Sequence, residues 1–177
     1  MIKWGILSTA KIATEQIIPA ITESKNSIIR GIASRDIKKA KKISKQFDIP
    51  KFFGTYDELL NCKKIDAIYI PLPTSQHVEW SIKSLKAKKH VLCEKPIAFN
   101  VKDIDRINLE INKSNKIFSE AFMVYYHPQW KKVKELILSG EIGELKHVQG
   151  CFTYFNIDPK NMRNIPELGG GVLPDIG

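Results

Sequence analysis

The stretch "IDAIYIPLPTSQHVEWSIKSLKAKKHVLCE" (residues 65–94) reads as strand, helix, strand. Residues 65–72 form an apolar run rich in β-branched side chains, and residues 90–94 form a second, shorter one. Between them, 75–88 carry a helical pattern. Apolar runs without polar alternation suit strands buried on both faces, and a helix linking two such strands makes them parallel.

The same rhythm extends in both directions. Toward the N-terminus lie strands over 2–8, 27–34 and 51–54. Helices are expected over 11–24, 36–47 and 55–61, the last starting at a Thr55 cap. In 11–24, Ile12, Ile17, Ile18 and Ile21 share a side, and Pro19 predicts a kink or a shortened helix. In 36–47, Ile37, Ala40, Ile43 and Phe47 supply the buried stripe. Toward the C-terminus come a helix over 100–114 capped by Asn100, a strand over 116–122 and a helix over 128–140 closed by Gly140. Residues 143–157 partly alternate and predict one long strand that opens another sheet. The fold class is therefore α/β, a doubly wound parallel sheet followed by the start of a different unit.

At 43% hydrophobic residues the 177-residue chain can build a core. No apolar run reaches the roughly 20 residues of a membrane span. The net charge of +9 invites a nucleic-acid reading, but only four of the 28 basic residues are Arg. The lysines fall mostly on helix faces, as in "DIKKAKKISKQF" (36–47), which is the pattern of solvated surfaces. No nucleic-acid partner is expected. Cys62, Cys93 and Cys151 are odd in number and far apart, which suggests neither a disulfide framework nor a metal site and makes a cytoplasmic location the default.

Ligands of doubly wound sheets bind at the carboxyl ends of the strands. The first such loop, Ser8-Thr9-Ala10-Lys11-Ile12-Ala13, stands where the dinucleotide fingerprint places its glycines. Its small residues admit a pyrophosphate at the helix N-terminus, and they also suit an ordinary strand–helix turn. The second strand ends Ser34-Arg35-Asp36. Ser and Arg there suit the 2′-phosphate of NADP, whereas Asp36 could turn to the ribose of NAD or cap the next helix.

A further signal is Glu94-Lys95-Pro96 directly after a strand. Together with "WGILSTAKIA" (4–13), "IASRD" (32–36), "IPLPTSQHVEW" (70–80), "EAFMVYYHPQW" (120–130), "GEIGELKHVQGCF" (140–152) and "NMRNIPELGGGVLPDIG" (161–177), it resembles the Gfo/Idh/MocA family of NAD(P)-dependent oxidoreductases. The nearest likeness is to its xylose dehydrogenase and dihydrodiol dehydrogenase-like branch. The resemblance implies a Rossmann domain over 1–125 and the incomplete start of an α+β substrate domain over 126–177, within a parent about twice as long. It implies hydride transfer between NADP(H), with NAD as an alternative, and a carbinol of a sugar or cyclic diol, in a homo-oligomer. A dinucleotide-binding module without turnover is the alternative function.

Residue by residue, the resemblance makes Lys95 the group at the substrate hydroxyl, on a cis Lys95–Pro96 bond. Asp175 becomes the acid of a Gly-rich motif whose His or Tyr would lie two residues past Gly177. Ser8, Thr9, Ala10, Ile12, Ser34, Arg35, Pro71, Leu72, Thr74, Glu94 and Ala121 surround the cofactor, and His77 contacts it or caps its helix. Arg163 contacts the cofactor or is a surface arginine. Tyr125 departs from the branch, where Arg is common.

Overall fold

The computed structural model describes residues 1–173. Strand β1 (Ile2–Leu7) is followed by β2 (Ser27–Ala33), β3 (Phe52–Phe53), β4 (Ala67–Ile70), β5 (His90–Cys93) and β6 (Phe118–Glu120). Between them run α1 (Ile18–Glu23), α2 (Ile37–Gln46), α3 (Tyr56–Leu60), α4 (His77–Lys86) and α5 (Val101–Ser114), and α6 (Pro128–Leu138) comes last. The six strands form one parallel sheet in the order β3-β2-β1-β4-β5-β6. This is the Rossmann order, with its switch point between β1 and β4.

Successive strand residues point to opposite faces, and both faces are apolar. On one face Leu7, Ala33, Ile68, Ile70, Val91 and Cys93 pack with Tyr56, Leu59 and Leu60 of α3, Leu85 of α4 and Ile107 of α5. On the other, Ile6, Ile32 and Tyr69 pack with Ala13, Ile18 and Ile49. Gly5 lets α3 lie close to the sheet, since a Cβ there would stand 2.7 Å from Leu59 Cδ2.

Local signals fix the helix ends. Asp36 caps α2 by accepting from Lys38 N–H at 2.9 Å. Thr55 and Glu58 form a reciprocal capping box on α3. Asn100 caps α5, which ends at Asn115 in the left-handed region (φ +54°). Gly140, with φ +78°, follows α6.

Three expectations change. The first helix is not uniform: the helical run over 11–23 contains a π turn at Ala13–Ile17, directly before the turn that carries Pro19, whose missing N–H interrupts the regular helical bonding. In α2 the buried positions are Ala40 and Ser44, while Ile37 is 52% exposed. Ser44 tolerates burial because its hydroxyl donates to Ile49 O at 2.8 Å. Residues 143–157 form no strand. Among the described residues nothing pairs with them, and Val148, Phe152, Phe155 and Ile157 are exposed.

Candidate functional site

The carboxyl ends of the strands gather most of the residues singled out in the sequence. After β1, Ser8 N–H donates to Ala33 O at 2.8 Å, tying this loop to β2. Ser8 has φ +106°, a conformation that favours glycine, and its hydroxyl accepts from Ala10 N–H at 3.0 Å. The serine thus follows the backbone path that the fingerprint assigns to its first glycine. Thr9, Ala10 and Ile12 are half-buried around the same turn.

At the end of β2, buried Ser34 accepts from Asp36 N–H at 3.2 Å. The cap on Lys38 engages the Asp36 carboxylate. Arg35 is exposed at the mouth of the loop. Its charge and hydrogen bond, with a second bond from Ser8, act on the Tyr56 phenol, whose pKa burial raises against them.

At the end of β4, Pro71, Leu72 and Thr74 are buried. His77 is 1% exposed, and its ring turns into the core. Nδ1 lies 2.7 Å from Pro96 O and Nε2 2.7 Å from Leu72 O.

At the end of β5, Glu94 Oε1 accepts from the Tyr69 hydroxyl at 2.6 Å. Burial, then that bond, pushes the Tyr69 phenol well above its usual range. The Lys95–Pro96 bond is cis, as the resemblance implied, and Lys95 is half-buried. Ile97 N–H donates to Glu120 Oε1 at 3.1 Å, and Ala121 N–H to Cys93 O at 2.7 Å, so β6 holds the same corner.

The Gly-rich segment reaches this corner from the other side. Gly169 has φ +89°, and a Cβ on it would meet Phe99 Cζ at 2.2 Å and Thr74 Cβ at 2.9 Å. Arg163 is exposed and lines a separate hollow with Phe152, Tyr154 and Asn156. Tyr125 is 72% exposed and stacks edge-on with Tyr126. Asp175 lies outside the described residues.

Residues 2–122 match the model of the GFO/IDH/MocA oxidoreductase family, NAD-binding Rossmann fold, and residues 130–177 match that family's C-terminal domain. The chain belongs to the Gfo/Idh/MocA oxidoreductase family. It is 41% identical, over 100% of its length, to an uncharacterized oxidoreductase, ORF334, of Rhizobium meliloti. It is 34% identical over 98% of its length to D-xylose 1-dehydrogenase (NADP(+)) 2 of Haloferax volcanii. The chain covers 53% of each of these proteins, so it spans about half the length of the curated relatives it matches. Among solved structures, KijD10, a 3-ketoreductase from Actinomadura kijaniata in complex with TDP-benzene and NADP, shares 33% identity at a TM-score of 0.77. That likeness covers 81% of this chain and 45% of KijD10.

Sequence reasoning missed Tyr69 and Glu120, which hold Glu94 and Ile97. A tyrosine in an otherwise apolar strand was the available signal for the first, because a buried hydroxyl needs a partner. Glu120 carried no such mark.

Proposed function

We propose that this chain carries the cofactor-binding half of a dehydrogenase or reductase that moves a hydride between NADP(H) and a carbinol carbon of a sugar or cyclic diol. The observation that carries the reading is the tethered corner at the end of β5, where Glu94 and Lys95 sit on a loop held by Tyr69 and Glu120. The nicotinamide, when bound, accepts or supplies the hydride. Lys95 holds and moves the proton of the substrate hydroxyl, aided by Asp175, and stabilises oxygen charge as it develops. Glu94 and Ala121 orient the nicotinamide ribose, and Ser8, Thr9, Ala10 and Ile12 make the pyrophosphate turn. Pro71, Leu72 and Thr74 shape the wall beside it, with the His77 ring packed behind them in the core, and Arg163 reaches the cofactor from the later segment.

NADP is favoured over NAD because the cap on α2 engages the one carboxylate at the end of β2, and the exposed Arg35 beside Ser34 supplies positive charge for a 2′-phosphate. The NADP-linked names of the xylose dehydrogenase and of the KijD10 complex support the same choice. The family matches, ending at 122 and resuming at 130, support a division at 125/126 between the cofactor domain and the start of the substrate domain. A cytoplasmic location is supported by Cys62, Cys93 and Cys151 being free. A homo-oligomeric parent without nucleic-acid partners completes the reading. Among the described residues no helix is long and apolar enough to cross a membrane.

The test is Lys95→Met in the full-length protein, assayed with NADP(H) against aldoses, ketosugars and vicinal cyclic diols. Turnover should fall by about 10²-fold or more while NADPH affinity changes less than about threefold. Unchanged turnover refutes the role of Lys95. NADPH binding without turnover of any compound favours a cofactor-binding module instead.

A further inference from the structure

His77 opens α4 from inside the core, yet its two ring nitrogens reach two different loops. Leu72 belongs to the loop after β4, and Pro96 directly follows Lys95 on the loop after β5. One ring therefore spans the two loops that flank the site. On its far side, the loop after β5 is tied by Ile97 N–H to Glu120 Oε1. We propose that His77 is a positioning residue whose Nδ1–H donates to Pro96 O and so sets the loop that presents Lys95.

The proposal rests on the reading of Lys95 given above. Carbonyl oxygens only accept, and a neutral imidazole brings one N–H. Both contacts measure 2.7 Å, so distance does not choose between the nitrogens; placing the proton on Nδ1 ties it to the loop that presents Lys95. At 2.7 Å the Nδ1 contact is short for an N–H···O bond, and it is partly screened from water, so losing its donor leaves a half-buried carbonyl unpaired. A ring that served packing alone would depend on volume, not on which nitrogen carries the proton.

Two amide substitutions separate these cases. His77→Asn places its amide nitrogen near the position of Nδ1 and keeps a donor for Pro96. His77→Gln reaches only the position of Nε2 and keeps a donor for Leu72. In the full-length protein, hydrogen exchange of the peptide over 94–101 should quicken by about tenfold in the Gln variant and stay near the parent rate in the Asn variant. The strands β1, β2 and β4 should be unaffected in both. Turnover should fall in the Gln variant, and His77→Gln added to Lys95→Met should cost nothing more, because both act through one group.

Equal loosening in the two variants, or loosening spread through the sheet, overturns the proposal. So does protection by Gln with loss in Asn. If neither variant folds, 15N-labelled histidine in the unsubstituted protein decides: a protonated Nδ1 on His77 is expected, and a bare one overturns the assignment. Should Lys95→Met leave turnover intact, the role of Lys95 fails while the exchange result still judges the tether.

Discussion

At the end of β2, Arg35 and Asp36 are adjacent but do different work. The aspartate serves its own helix, while Arg35 stays exposed with its guanidinium bonded to the Tyr56 phenol. Arg35→Leu should therefore weaken NADPH by about tenfold or more and NADH by less than about threefold, as read by nicotinamide fluorescence titration. Equal weakening of both would remove the 2′-phosphate contact. The sequence showed which residues stand there but left the direction of Asp36 open. Ser8 is a similar case. Its small size was legible, whereas its φ of +106° was not, because the fingerprint is written in residue types and the loop is built from backbone angles. Tyr69 and Glu94 are 25 positions apart, and Ile97 and Glu120 are 23 apart, so these pairs exist only once the sheet is formed.

Among the elements, α3 shows how a five-residue helix is kept. Tyr56, Leu59 and Leu60 are buried against the sheet, and the Thr55–Glu58 box closes the N-terminus. Thr55→Ala should lower stability by about 1 kcal/mol, seen as a lower urea midpoint with unchanged slope. An unchanged midpoint would show that packing alone holds the turn. Strand and helix alternation up to β6 was legible because each element carries its own apolar pattern and cap. The stretch over 143–157 was misread for a physical reason: alternation describes side chains, but a strand is made by a neighbour that shares its backbone hydrogen bonds. In α2 the periodic pattern favoured Ile37, whereas Ser44 took a buried place through a hydroxyl bond no periodicity reports.

For the whole domain, alkaline pH is the most direct probe of the core. Cys93 ends β5 fully buried, and burial pushes its thiol up to about 12. The folded state holds that proton more tightly than the unfolded chain, where the thiol titrates near 9.0. Its contribution is complete below that value and is lost as pH climbs toward 12. Between pH 8 and 10 the loss should reach about 1.4 kcal/mol. Urea unfolding at the two pH values should show Cys93→Ala losing less than the parent by that amount. Equal losses would exclude the thiol as the source. Tyr56 and Tyr69, both raised by burial, add to the loss only above their ordinary value of 10.0.

Across the sheet from β3 to β6 the strands run two, seven, six, four, four and three residues, so the sheet is narrowest at its two rims. A rim of two or three residues gives a passing chain too few backbone groups to extend. Tapering therefore guards this sheet against edge-to-edge fibril growth, although none of its strands uses proline or a bulge at the rim to do so.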